Sequence, residues 1–581
     1  MSSVCAEFLE QHLRAATMTA ANQTAKPPGL ETEHNIAALF LAQTRANPGG
    51  EAIVERKDAK RRSLSFGELE ERTARMASGL ASQGLKAGER VALFVPPGIE
   101  FVAITWALFR LGAIPVLADP GMGRTRLLAA LERTAPTAMI GAGRALLARR
   151  LFPRSFRSVR RVFGVGHMLP GLGRSMVMVE SSGQDQHSLQ PVLADDTAAI
   201  LFTSGSTGPP KGVPISHSQL AAEVRGLRAT LGFEPGERDL CGLPAFALFD
   251  CALGITSVFP GVDPARPANA DPAALLRVMV EERTSTGFLS PALWRILVAH
   301  CIGNNKTLPH LIRAVSAGAP LDIDVVRQLR SLLPEEGEMF TPYGATEALP
   351  VTVISGTELV DLTDRIKAGE GTPVGRAAPE VEIRILDPAA TDLTLMDPAH
   401  CLPQGSVGEI LVRGPIVTQS YDAAPEDQAA AKLADPDGAT HWHRMGDMGC
   451  FDAQGILWFL GRKSHCLLTS RGLRPPVGVE NVFLGHESVA RCALVGRGAE
   501  GAEQAVLIVE PKPGQTPNKP GAREAFVAEL RARAQTSPMS EDIEQFLFHP
   551  SLPVDPRHNS KIHRGELKAW AATQTPLEVR P

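Results

Sequence analysis

The chain has 581 residues, 44% of them hydrophobic and 21% charged, with 59 Lys plus Arg against 63 Asp plus Glu and a formal charge of -4. That balance is the one expected of a soluble globular protein with at least two domains, and with no basic block long enough to grip a phosphate backbone it excludes a nucleic-acid binder. Eight scattered cysteines, none in a C-x-x-C pair or beside histidines at zinc spacing, read as reduced thiols of a cytoplasmic protein.

Residues 1–32 lack a charged segment followed by a long apolar run, so they read as a poorly ordered lead-in and not as a signal peptide or anchor. "SLSFGELEERTARMASGLASQGLKAGERVALFV" predicts a helix and then a strand. Ser65 and Glu68 form a capping box, and Leu69, Met76 and Leu80 share one helical face. "RVALFV" is the β-rich run of a buried parallel strand.

"EFVAITWALFRLGAIPVLADP" has the most membrane-like composition, but Arg110, Gly112 and Pro115 divide it into a helix of two to three turns and a buried strand. The same exchange recurs in "TRLLAALERT" with "AMIGAG", in "LLRVMVEERTSTGFLS", and in "PHLIRAVSAGAP". Alternating helices and strands predict an α/β fold. From Val381 the texture changes to short strands between Gly and Asp turns, "VEIRILDP", "GSVGEILVRGP" and "GILWFLGR", which predicts a β-rich subdomain. After Gly461 the strands "CALVG" and "AVLIVEP" and the helix "REAFVAELRARAQ" predict a separate small α+β domain, with "GRKSHC" as the junction.

"ILFTSGSTGPPKGVPISH" carries the first chemistry. Gly205 and Gly208 let backbone N–H groups approach an anion, Thr203, Ser204, Ser206 and Thr207 add hydroxyl donors, and Lys211 adds a point charge. The stretch lies between a strand-like and a helix-like segment, which favours a phosphate cradle over a Gly/Ser linker. It is not a Walker loop, because Pro210 stands where that pattern has Gly.

This stretch resembles the phosphate loop of the adenylate-forming superfamily of acyl-CoA synthetases, luciferases and peptide-synthetase adenylation domains. Further stations follow in that family's order: "SAGAP" from Ser316, "TPYGATEA" from Thr341, "GSVGEILVRGP" from Gly405, "HRMGDMGCFDAQGILWFLGR" from His443, and "NSKI" with Lys561. The resemblance spans residues 33–575. It implies a large N-terminal AMP-binding domain over 33–461, built of two α/β layers and the β-rich subdomain, a hinge at 462–466, and a small mobile C-terminal lid over 467–581.

The resemblance also implies roles. Glu347 matches the magnesium ligand, a hard carboxylate suited to an ion on triphosphate oxygens, and Thr346 the contact to the α-phosphate. Gly318, Ala319 and Pro320, with Tyr343 and Gly344, match the backbone and ring beside the adenine. Asp447 matches the carboxylate that takes both ribose hydroxyls, and Arg462 the arginine that holds the nucleotide at the junction. Lys561 matches the lysine that the small domain brings to the reacting oxygens. ATP and Mg2+ are the implied cofactors. Read without the resemblance, the T-E pair is equally a helix cap, G-D a turn, and Arg462 and Lys561 ordinary surface cations.

Two departures select a branch. In "GRKSHCLLTSRGLRPP", Ser464 and His465 stand where the family has acids and Leu468 stands near its usual lysine, which puts the CoA half-reaction in doubt. In "LPAFALFD", Phe246 is followed by Ala247 where many acyl-CoA synthetases have a gating His; Phe246, Ala247 and Phe249 are candidate acyl-site residues, with an ordinary packed strand end the alternative. Together with "TPYGATEALPV" and "LPVDPRHNSKI", these segments resemble the β-lactone synthetases of bacterial long-chain olefin biosynthesis. That family activates a 2-alkyl-3-hydroxy fatty acid with ATP and closes it without CoA; it also implies partnership with thiolase-like, reductase and β-lactone decarboxylase enzymes. A long-chain acyl-CoA synthetase or fatty acyl-AMP ligase is the alternative enzyme, and a non-catalytic nucleotide-binding scaffold the alternative class. The residues identify no base for the 3-hydroxyl; His465 is one candidate, an ordinary polar junction residue the other reading.

Overall fold

The computed structural model describes residues 34–57, 60–118, 122–168, 171–203, 210–263, 265–391, 393–436, 438, 440–470, 472–499, 501–517, 520–554 and 562–578. The expected lead-in 1–32 lies outside them.

Ser65 caps the helix Phe66–Ser82 with the reciprocal Glu68 bond that the capping box predicts, and Leu69, Met76 and Leu80 are fully buried. The next strand, Arg90–Phe94, is central in a seven-stranded sheet whose order is Arg174–Ser175, Arg161–Val165, Ala138–Ala142, Arg90–Phe94, Ile114–Leu117, Thr197–Thr203 and Lys211–Ser216. Every pairing in it is parallel except the last, a hairpin in which Thr203 faces Lys211. The membrane-like stretch forms the buried helix Ile99–Arg110 and the strand Ile114–Leu117. Among the described residues no helix is long and apolar enough to cross a membrane.

A second sheet has fourteen strands. Its first half is parallel through Glu51–Lys57, Thr256–Phe259, Arg238–Cys241, Thr286–Leu289, Arg313–Ser316 and Glu338–Ala345. It then turns antiparallel through Ala348–Ser355, Thr372–Ala377, Leu457–Arg462, His441–Phe451, Gly408–Arg413 and Glu382–Leu386. The β-rich texture after Val381 is therefore the antiparallel half of this sheet. The change of texture marks a change of strand direction, because antiparallel neighbours need only short Gly and Asp turns whereas parallel ones need crossover helices.

One apolar core joins the two sheets: Val91, Leu93 and Ile140 of the first and Ile53, Phe288 and Val315 of the second pack with the same helices, Trp106 and Phe109 at its centre. The smaller C-terminal domain has its own four-stranded sheet, Val489–Arg497, Gln504–Pro511, Gln545–Phe548 and Leu577–Glu578, and its own core around Phe483 and Phe546.

Candidate active site

Three elements meet where the two large sheets approach each other. The first is the hairpin of Thr197–Thr203 and Lys211–Ser216, with the helix His217–Leu231 capped by Ser216 behind it. Lys211 opens the return strand, and its ammonium lies 2.7 Å from Asp427 Oδ1. Ser204, Gly205, Ser206, Thr207 and Gly208 lie outside the described residues, as does the Thr203 side chain.

The second element is the hairpin Glu338–Ala345 with Ala348–Ser355. Thr346 and Glu347 form its turn, so both side chains stand at a tip. Gly344 is required there by a close approach, since a Cβ would meet the Ala348 carbonyl at 2.5 Å. The strand Arg313–Ser316 runs alongside and leads into Gly318, whose φ of +96 is a left-handed conformation that suits glycine. Gly318 and Pro320 are exposed and Ala319 is partly so, which leaves this backbone open to a ligand.

The third element is the antiparallel pair His441–Phe451 and Leu457–Arg462, in which Asp447 faces Arg462 in register. Arg462 Nε lies 3.1 Å from Asp447 Oδ1, and the Tyr343 hydroxyl donates to Asp447 Oδ2 at 2.7 Å. Burial pushes the Asp447 carboxyl above its ordinary range although Arg462 and the Tyr343 bond act the other way. Burial and the facing Asp447 raise the Tyr343 phenol, which stays protonated and remains a donor.

The structure thus brings Tyr343, Asp447 and Arg462 into direct contact. The segment around Tyr421 links Lys211 to Glu347: the Lys211 ammonium lies 5.4 Å from the Tyr421 ring centre, and the Tyr421 hydroxyl donates to Glu347 Oε1 at 2.8 Å. Glu347 is buried, and its Oε2 has no protein donor among the described residues. A hard carboxylate oxygen held in this way at a cleft fits a magnesium ion. Lys561 lies outside the described residues.

Several residues near this centre carry no signal in the sequence. Lys432 is buried, and desolvation pulls its ammonium down to about 7 while Glu347 opposes the shift. His443 sits opposite Lys432 in the strand register; burial and the neighbouring cations Lys432, Lys211 and Arg462 hold it neutral. A buried lysine looks like any surface lysine in sequence, and only the pairing of Lys432–Ala434 with His441–Phe451 reveals where it lies.

The other candidates lie apart from this contact set. Phe246 and Ala247 open the helix Phe246–Leu253, where a strand end was the alternative expectation, and both are packed in the main core; Phe246 stacks on Phe288 with ring centres 3.7 Å apart. Phe249 is half-buried against the same core. One helical turn on, Asp250 meets Asp239 and Cys241 from the strand below, all three buried. At the junction, Lys463 pairs with Glu409 at 2.9 Å, and burial with the nearby Arg564 and Arg462 lowers His465 to about 4. So weak a base is poorly matched to removing a proton from an alcohol.

Lys211, Glu347, Tyr343, Asp447 and Arg462, from three separate elements, are thus linked through Tyr421 and the Tyr343–Asp447–Arg462 contacts. The chain belongs to the family of AMP-binding enzymes, whose model matches residues 40–422. Over 527 residues it is 44% identical to the olefin beta-lactone synthetase of Stenotrophomonas maltophilia, which covers 89% of this chain and 92% of that one. The olefin beta-lactone synthetase of Xanthomonas campestris is 42% identical over 519 residues, covering 88% and 91%. The fold matches that of ATP-bound MatB from Rhodopseudomonas palustris with a TM-score of 0.73 over 93% of this chain and 99% of that one, at 21% identity.

Proposed function

We propose that this chain is an ATP-dependent β-lactone synthetase acting on a long-chain 2-alkyl-3-hydroxy acid in olefin biosynthesis. The observation that carries the reading is the 44% and 42% identity to two olefin beta-lactone synthetases, each over about nine tenths of both chains. The convergence of Glu347, Asp447 and Arg462 on one cleft supports it.

The chemistry has two steps. The substrate carboxylate attacks the α-phosphorus of ATP, forming a C–O–P mixed anhydride and expelling pyrophosphate. The 3-hydroxyl then attacks the acyl carbon, loses its proton and expels AMP, closing a cis-3,4-dialkyl-oxetan-2-one. Because nucleophile and electrophile share one molecule, the second step needs no second substrate and gains the advantage of proximity. Cleavage of the anhydride offsets the strain of the four-membered ring.

The roles follow the chemistry. Lys211 and the loop before it hold the triphosphate, with the Gly318–Pro320 backbone and Tyr343 beside the base and Asp447 with Arg462 on the ribose. Thr346 approaches the α-phosphate, and Lys561 offsets charge on the reacting oxygens. Glu347 would hold a magnesium ion, which supplies charge neutralisation to the triphosphate. Half-buried Phe249 would line the acyl side, with Phe246 and Ala247 packed in the core behind it. Residues 462–466 serve as a hinge between an N-terminal domain over 33–461 and a lid over 467–581. The enzymes that supply the hydroxy acid and decarboxylate the lactone are the natural partners, in the cytoplasm.

Product analysis with coenzyme A present or omitted tests this reading. Lactone and AMP formed without coenzyme A support it; a thioester formed only with coenzyme A would replace it with an acyl-CoA ligase.

A further inference from the structure

The hairpin tip that carries Thr346 and Glu347 is an unusual place for a residue that must hold a fixed direction. Two-residue tips are normally exposed and mobile. Glu347 is instead only 9% exposed, and two contacts from one distant segment account for its fixation. The Thr418 N–H donates to the Glu347 carbonyl at 2.9 Å, and the Tyr421 hydroxyl donates to Glu347 Oε1 at 2.8 Å. Backbone and side chain are thereby gripped separately, across more than seventy residues of sequence.

The gripping segment is itself fastened. Lys432 Nζ donates to Thr418 Oγ1 at 3.0 Å and to the Thr418 carbonyl. The Tyr421 N–H donates to Gln428 Oε1 at 3.2 Å, and the Tyr421 ring has the Lys211 and Lys432 ammoniums 5.4 and 5.9 Å from its centre. Cations near an aromatic face are attracted by its quadrupole, so the ring is braced by the lysine of the phosphate strand and by a buried lysine behind it. A carboxylate oxygen can only accept, so the Tyr421 hydroxyl is the donor in this pair.

We propose that Tyr421 is the positioning residue of Glu347, fixing one carboxylate oxygen so that the other is presented to the metal on the triphosphate, and that Lys432 secures the same clamp through Thr418. The proposal rests on the adenylation reading above and adds to it two residues outside those assigned to the nucleotide and the acid. A hydrogen bond to a carboxylate held in a nearly dry site is worth more than a neutral one. Its loss therefore shows in metal dependence before it shows in fold.

Tyr421→Phe keeps the ring and removes only the hydroxyl. Calorimetric titration of the full chain with α,β-methylene-ATP at a series of magnesium concentrations should show the half-saturating magnesium concentration rising about tenfold in Tyr421→Phe. Nucleotide affinity without magnesium, the KM for the acid and the unfolding midpoint should stay near the parent values. Lys432→Met also removes a cation near Glu347, which alone would favour magnesium; a rise in the half-saturating concentration supports its part in the clamp, and a fall or no change removes Lys432 from it. A parent protein that fails to bind the nucleotide with magnesium overturns the adenylation reading itself. A parent that binds it, with an unchanged magnesium dependence in Tyr421→Phe, overturns the clamp alone.

Discussion

The Tyr343 hydroxyl donates to Asp447 Oδ2 at 2.7 Å and joins two sequence stations that are 104 residues apart. Tyr343 lies on the strand that ends the parallel half of the large sheet and Asp447 on a strand of its antiparallel half, so the contact spans the change of strand direction. It also limits the freedom of the Asp447 carboxylate, which would otherwise rotate about its own χ2 between Arg462 and the cleft.

In the proposed nucleotide site Asp447 would have to be ionised to accept the two ribose hydroxyls well, and burial holds its carboxyl above the ordinary range. ATP affinity should therefore weaken on acidification at a higher pH than an exposed aspartate would titrate. The sign follows from the charged form being the binding form: affinity is full above the raised pKa and falls as pH drops through it. Asp447→Asn should raise the KM for ATP at least tenfold at pH 8, by the worth of a charge-assisted hydrogen bond, and flatten this pH dependence. Pyrophosphate release measured against ATP from pH 5 to 8 checks both, and a pH profile identical in parent and variant would sink the assignment.

Asp239 and Asp250 face each other in the core with Asp239 Oδ2 and Asp250 Oδ1 lacking hydrogen-bond partners, while Ser257 donates to Asp250 Oδ2 and the Phe288 N–H to Asp239 Oδ1. Burial raises both carboxyls, Asp239 to about 7. An acid with a raised native pKa stabilises the fold only where it is protonated in both states, so stability should decline as pH rises from the ordinary aspartate range to about 7. Asp250→Asn keeps the shape and removes one acid. Its unfolding midpoint relative to the parent should therefore increase between pH 4.5 and 7.5. Thermal unfolding at the two pH values decides, and a difference that is the same at both would contradict the account.

Lys561 is the residue whose removal should spare the fold and stop the chemistry. Lys561→Ala should lower the rate of acid-dependent pyrophosphate release by about 100-fold or more, the scale of a lost charge-stabilising donor, with an unaltered unfolding midpoint. An undiminished rate in this variant would refute the role.

Local signals in the sequence were sufficient for the elements and not for their assembly. The capping box at Ser65 and Glu68 and the apolar face of Leu69, Met76 and Leu80 are short-range relationships, and they define the helix Phe66–Ser82 directly. The strands after Val381 were legible as strands, but their continuity with the parallel half depends on pairing between Ala348–Ser355 and Thr372–Ala377, a relation with no periodicity of its own. In the site, Glu347 and Asp447 could be singled out through resemblance to a known motif order. Tyr421 and Lys432 could not, because their importance lies in what Glu347 and Thr418 do across the fold, and neither residue type announces burial. The Asp239 and Asp250 pair was hidden for the same reason: each acid looks like a turn or cap residue until strand and helix are packed together.

In the proposed reaction one active site both adenylates the acid and closes it on its own hydroxyl. Proton NMR of a reaction containing the enzyme, ATP, magnesium and a 2-alkyl-3-hydroxy long-chain acid, with coenzyme A omitted, tests it most directly. The ring-proton signals of a cis-β-lactone should grow in step with AMP, one for one. Acyl adenylate accumulating without lactone, or a thioester appearing only once coenzyme A is added, would contradict it.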